Sequence, residues 1–466
     1  MDQRFSFIRV FIFLFVLGWP SFSCLGQEKI TLQKGITIDT FFCEKHPNHS
    51  YAYYLPSNYD ESKKWPIVYI FEPLARGWIP VDSFKMAAER YGYILVGSNN
   101  SRNGPWQNMI DAISNMVEDA SARFSIDTKR VYTSGFSGGS RAASMVAAVS
   151  NEIAGVIGCG AALPNRENLQ PTKDSDYVYY GLVGDKDMNY QEMYSHDDLL
   201  TKWNFATRLR IFPAGHQWPS PDLLLEAVEW MELQAMKKEV RSKDTLFLAQ
   251  QKKQYIQHIE RLKQEENFID LAKNYQYLLK DFSEEDLSWY TKELEQLIQS
   301  EAYQNALKEW KKIQEKELAY QQIFQSEFQK ISWNKTITAE NRTWWQKESK
   351  KLYQLQKSPS PEQSKLASRL LNIIIGASIE NSWSNIRNKN YEEALLFASI
   401  RTIIQPDEAW AYESLARIQI LNGHKKAAIK SLKQAIALGL KKDYIKNKTV
   451  FDPLKDFKKF NKLLSD

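Results

Sequence analysis

The sequence predicts an α/β chain, a doubly wound, mostly parallel sheet, followed by an all-α region. Three observations carry that reading. Between residues 27 and 238, short β-branched and aromatic runs alternate with amphipathic stretches of helical period. Runs such as "PIVYIF" and "VYYGLV" are almost continuously apolar, as strands covered on both faces must be. After Lys238 the composition turns to Lys, Glu, Gln, Leu and aromatics with very little glycine, which suits long helices.

The strand candidates are Tyr51–Leu55, Pro66–Phe71, Tyr93–Val96, Arg130–Thr133, Ala154–Cys159, Tyr177–Val183 and Thr207–Phe212. Helical spacing marks Asp82–Tyr91, Met109–Arg123 and Ser140–Val149 between them. It also marks "SPDLLLEAVEWMELQAMKK", whose apolar positions 223, 224, 227, 228 and 231 form one face. Farther on, Ser283 in "FSEEDL" is placed to cap a helix, with Asp286 three residues later. "KSPSPEQS", Lys357–Ser364, reads as a linker. The tryptophans at 289, 310, 333, 344 and 345 are expected to pack between helices. The chain thus divides into a leader (1–26), a sheet domain (27–238), a helical region (239–360) and a repeat region (361–466).

In that last region "NYEEALLFASIRTIIQP" and "HKKAAIKSLKQAIALGL" share one spacing, with Ala394 and Ala398 matching Ala428 and Leu432. Tyr412, Leu415, Ala416, Gly423, Ala428, Leu432 and Ala435 give the small and large residues that closely packed helix pairs need, and Pro406 closes the preceding unit. The stretch resembles tetratricopeptide repeats, which implies a groove for a protein partner. Leu440 and Gln419 stand where that pattern has a proline and an aromatic.

At 466 residues with 43% apolar and 25% charged content, the chain is expected to hold two or three globular domains. A net charge of +5 over that length is too dilute to point to nucleic acid. Arg4 and Arg9, the apolar run Val10–Leu17, and the small residues Ser21, Ser23 and Gly26 have the order of a secretory signal peptide. The mature protein is therefore expected to be exported, periplasmic or secreted. Cleavage after Gly26 would remove Cys24; cleavage before Cys24 would leave a lipid anchor instead. No later segment is apolar for long enough to span a bilayer. Export would permit a disulfide between Cys43 and Cys159, although "VIGCGAA" reads as a buried strand end with a free thiol.

The chemistry is concentrated in "VYTSGFSGGSRAASMVAAV". A strand, a Gly-x-Ser-x-Gly turn over Gly135–Gly139 and an alanine-rich helix hold Ser137 out alone on a tight turn, the arrangement of a nucleophile elbow. A serine hydroxyl needs a base, and the base needs a carboxylate. Later strands supply both, ending in "GDKDMNY" and "AGHQWP". The order Ser, Asp, His, with "GHQWP" and "GDKD" as the later loops, resembles the α/β-hydrolase superfamily. More narrowly it resembles secreted esterases of the polyhydroxybutyrate depolymerase and feruloyl esterase type, over about residues 36–236.

That resemblance implies a catalytic triad of Ser137, Asp187 and His216, with Asp185 the alternative acid. Oxyanion donors are expected at the Gly138 N–H and, since Pro73 has none in "FEPLARG", at Leu74 or Ala75. "SNNSRNGPW" brings Asn99, Asn100 and Arg102 as polar substrate contacts, with Trp106 and Trp218 as an apolar wall; a self-bonded Asn and Ser loop is the equal alternative. His46 and His49 are read as a solvated turn rather than a metal pair, and His196 is the fallback base. No metal or organic cofactor is implied, and the helical part is expected to be dispensable for chemistry. A serine peptidase lacks support from any propeller-like repeat of strands. A non-catalytic hydrolase-fold scaffold is the alternative of a different class.

Overall fold

The computed structural model describes residues 31–465; the leader and Cys24 lie outside them. Eight strands form one sheet: β1 (Thr37–Phe42), β2 (Ser50–Tyr54), β3 (Trp65–Phe71), β4 (Ile94–Ser98), β5 (Ile126–Phe136), β6 (Gly155–Cys159), β7 (Val178–Gly184) and β8 (Thr207–Phe212), in the order β1-β2-β4-β3-β5-β6-β7-β8. β1 and β2 run antiparallel to their neighbours, and the pairs from β4 through β3, β5 and β6 to β7 are parallel. Parallel strands need crossovers, and the helices α1 (Trp78–Tyr91), α2 (Trp106–Arg123), α3 (Gly138–Val149), α4 (Tyr190–Lys202) and α5 (Pro221–Lys237) follow β3, β4, β5, β7 and β8.

The central strands are buried from end to end, which is why they read as unbroken apolar runs: β3 buries Ile67 to Phe71 and β7 every residue. β1 was not anticipated. Its sequence "TIDTFF" is an edge strand, half-exposed on both faces, and has neither clean alternation nor an apolar run. β5 begins earlier than expected because the polar "IDTKR" is also extended. In α5, Leu224, Ala227, Val228 and Met231 are buried as expected, together with Trp230 and Glu232. Glu232 is satisfied by Arg130, Arg241 and the Tyr93 hydroxyl.

By Cα proximity the chain forms two compact units. The first comprises residues up to Leu182 with 192–210 and 218–248; the second comprises 183–191, 211–217 and 249 onward. The second unit contains most of α6 (Thr245–Gln264), then α7 (Phe268–Asp281), α8 (Ser288–Gln299), α9 (Glu301–Asn334), α10 (Ala339–Leu355), α11 (Pro361–Arg387), α12 (Tyr391–Ile404), α13 (Ala409–Leu421) and α14 (Lys425–Ala437). Ser283 caps none of these: α8 starts at Ser288, and the side-chain caps belong to Asn267, Ser300, Thr338, Ser360 and Glu408. "KSPSPEQS" is a tight turn, where Ser360 caps α11 and Pro361 takes its first position. Of the tryptophans, Trp345 is fully buried against Phe324 and Phe328, whereas Trp333 is 86% exposed. Ala394, Ala398, Leu415, Ala428, Leu432 and Ala435 are all buried between helices α12, α13 and α14.

Candidate active site

β5 leads straight into the serine turn. Ser137 has φ 53° and ψ −121°, a conformation that L-residues avoid, and its N–H donates to the Cys159 carbonyl at 2.8 Å across to β6. The flanking glycine at 139 is required by close approach, since a Cβ there would lie 1.9 Å from the Phe71 carbonyl oxygen. α3 then starts at Gly138, and its first intrahelical bond runs from Arg141 N to the Ser137 carbonyl at 3.2 Å. The strand, the turn and the helix therefore project one serine from the carboxyl end of a central parallel strand.

The acid and histidine loops follow β7 and β8. His216 Nδ1 lies 2.9 Å from both carboxylate oxygens of Asp187, which is 1% exposed. Asp187 also accepts from the Asn189 N–H at 2.8 Å, so a buried carboxylate is fixed from two sides and favours the imidazole tautomer that carries its proton on Nδ1. Asp185 has the other duty: its Oδ1 accepts the Ala214 N–H at 3.2 Å, tying the acid loop to the histidine loop.

The helices fasten that same loop. Arg369 of α11 donates to the Asp185 carbonyl at 3.0 Å, and Asn372, one turn on, donates to the Lys186 carbonyl at 2.9 Å. Arg369 is 2% exposed and is held by Glu317 of α9, itself fully buried, through bonds of 2.8 to 3.0 Å; its guanidinium also stacks over the Tyr190 ring at 4.7 Å. Side chains from beyond residue 238, the part expected to be dispensable for chemistry, thus hold the backbone beside Asp187.

The other expected residues divide. Trp218 packs its ring 5.5 Å from Phe136, the residue before Ser137, and leaves its buried Nε1 without an acceptor among the described residues. Leu74 is corrected as an oxyanion donor: its N–H is taken by Glu72 Oε2 at 2.7 Å. Ala75 N–H goes to the Glu72 carbonyl at 3.0 Å, and Arg76 N–H to Glu72 Oε2 at 3.2 Å, so the backbone and buried carboxylate of Glu72 together take these three amides. Asn99 and Asn100 are corrected as substrate contacts. Asn99 bonds Gly77 N–H and the Asp39 carbonyl; Asn100 bonds Ser50 N–H and the Asn48 carbonyl. Both brace the antiparallel edge. Trp106 packs on the core rather than forming a wall.

His196 is buried against the Tyr179 ring, centroids 4.6 Å apart, and burial holds its pKa down to about 4. It is corrected from fallback base to core residue. His49 bonds Asn115 and His46 faces Glu118 at 3.7 Å. Among the described residues no three His, Cys, Asp or Glu side chains cluster as metal ligands. Cys43 and Cys159 are free and buried; burial pushes the Cys43 thiol up to about 11 and raises that of Cys159 further.

The strand order and the elbow serine define the α/β-hydrolase fold. No family model and no curated protein matches the sequence. Similar solved structures include an S-formylglutathione hydrolase of Staphylococcus aureus, 15% identical with a TM-score of 0.34 over 39% of this chain and 90% of that one. A ferulic acid esterase is 15% identical with a TM-score of 0.36 over 42% and 96%. A truncated carbohydrate esterase from gut microbiota is 12% identical with a TM-score of 0.37 over 44% and 97%.

Proposed function

We propose that the chain is an exported serine hydrolase that cleaves carboxylic esters through an acyl-enzyme. The observation that carries this reading is the His216–Asp187 pair on the loops after β7 and β8, in a chain whose β5 ends in a strained, projecting serine. In the proposed reaction Ser137 Oγ attacks the ester carbonyl carbon as His216 Nε2 takes its proton, and the carbonyl oxygen becomes an oxyanion facing the Gly138 N–H. Collapse breaks the bond to the alkoxide, which takes the proton from His216. Water, deprotonated by His216, then attacks the acyl-enzyme carbonyl carbon; the bond to Ser137 Oγ breaks, His216 returns its proton to Oγ, and the carboxylic acid leaves. Asp187 stays ionised throughout and stabilises the imidazolium.

One observation favours the alternative of a non-catalytic scaffold, namely that Glu72 absorbs the amides of Leu74 and Arg76. A fluorophosphonate probe separates the two. Adduct formation at Ser137 in the purified chain, with turnover of a short nitrophenyl ester, is expected for the hydrolase; a folded chain that neither labels nor turns over is a scaffold. The helices past residue 238 are proposed to combine loop support with recognition of a protein partner.

A further inference from the structure

We infer that the lysine-rich end of the chain docks on the headgroup surface of an anionic phospholipid bilayer. Residues 424–466 hold twelve lysines, no arginine and four aspartates, a net charge of +8 against +5 for the whole chain, so the rest of the chain is net negative. The positive charge is gathered at one end of the repeat region. After α14 come two short helices, α15 (Lys442–Lys446) and α16 (Lys458–Ser465). α14 buries Ala428, Ser431, Leu432 and Ala435 and turns the exposed Lys426, Lys430 and Lys433 the other way, at i, i+4 and i+7 on one stripe. α16 repeats the plan, with Phe460 buried and Lys458, Lys459 and Lys462 exposed. Phe460 and Leu432 belong to one core, and Lys425 Nζ lies 5.9 Å from the centroid of the Phe457 ring, so the two lysine rows project from neighbouring helices. These six lysines have no carboxylate partner among the described residues; Lys446 and Lys455 are paired, with Asp443 and Asp452.

Like charges one turn apart weaken a helix, a cost that an external anionic surface removes. The composition of the patch selects among such surfaces. Protein interfaces are poor in lysine and rich in aromatics and arginine, whereas here arginine is absent and the aromatics Tyr444, Phe451, Phe457 and Phe460 are buried or half-buried. Nucleic-acid sites use arginine forks on base edges and exposed rings for stacking, and this segment offers neither. Lysine alone, a hydrated point charge on a flexible stem, suits a dense field of lipid phosphates that demands no fixed geometry. The apolar side of α16 is spent on the core, with Leu463 and Leu464 packed beside Phe460, so the contact is made by charge at the surface and not by insertion.

The test is co-sedimentation of the full chain with phosphatidylcholine vesicles that contain about 30% phosphatidylglycerol, beside vesicles of phosphatidylcholine alone. Binding to the anionic vesicles is expected to exceed binding to the neutral ones by at least about tenfold, and to vanish near 1 M salt, where the Debye length is about 3 Å. Lys426→Gln, Lys430→Gln and Lys433→Gln together should weaken it about a hundredfold, while Arg at the same three positions should keep it within about threefold. Thermal melts report folding, and if the α14 set unfolds, Lys458→Gln, Lys459→Gln and Lys462→Gln decide. Lys308→Gln with Lys311→Gln, exposed on α9 outside the patch, should leave binding unchanged. No binding, or equal binding to the two kinds of vesicle, overturns the inference, as does full binding by a folded variant that has lost the α14 or α16 lysines, or an equal loss in the α9 pair. Tighter binding of DNA than of the anionic vesicles assigns the patch to nucleic acid and overturns the inference as well.

Discussion

Arg369 donates to the carbonyl of Asp185 across 184 residues of sequence, while its other nitrogens are held by Glu317. The acid loop is thus positioned by the helices. Replacing Arg369 by Met strands a fully buried carboxylate and should cost about 3–5 kcal/mol in chemical denaturation. Pairing it with Glu317→Gln should restore most of that stability. Turnover should stay roughly 10- to 100-fold low in both, with KM little changed, because the loop beside Asp187 remains unsupported. Recovery of kcat along with stability in the double variant would show that the contact serves folding alone.

Asp187→Asn should lower kcat by about 10⁴, since an amide can hold His216 in the wrong tautomer. Asp185→Asn should stay within about tenfold of wild type, because an amide oxygen still accepts the Ala214 N–H. Steady-state kinetics on a nitrophenyl ester rank the two, and the reverse ranking reassigns the acid.

The conformation of Ser137, φ 53° and ψ −121°, is costly for any residue with a side chain. Ser137→Gly should therefore melt higher than Ser137→Ala, by about 1 kcal/mol net of glycine's greater unfolded-state entropy. Both should be inactive. Equal melting of the two variants would mean that the turn is unstrained.

His196 sets an acid limit. Its folded pKa of about 4 lies below its ordinary value of 6.5, so the unfolded chain binds the proton more readily and stability falls as pH drops from 6.5 toward 4. The full loss is of order 3 kcal/mol. Below that window the contribution is absent. His196→Phe, which also removes two buried ring nitrogens with no hydrogen-bond partner among the described residues, should flatten this part of the pH-stability curve. Urea melts at pH 7 and pH 4.5 measure the difference.

Much of this was legible before any coordinates. The buried strands announced themselves because burial on both faces forces a continuous apolar run, and the elbow did because a tight turn restricts its neighbours to glycine. β1 was not legible, since an edge strand carries no such demand. Asn99 and Asn100 could be read equally as binding groups or as loop braces, because the same amides suit either; only their partners decide. Arg369 left a trace that could have been followed, a lone arginine inside the apolar run "LASRLLNIII", which a buried helix tolerates only with a partner. Nothing local in the sequence named Glu317, 52 residues away on another helix.

The fastening of the acid loop by α11 also sets an order of events during biosynthesis. A ribosome adding roughly 5–20 residues per second needs about 10–40 s to travel the 184 residues from Asp185 to Arg369. Within that interval Asp187 and His216 join Ser137 in the nascent chain, still without the side chain that holds the Asp185 carbonyl. A fragment that ends before Arg369 therefore holds Asp185 and Asp187 on a loop with no anchoring helix behind it.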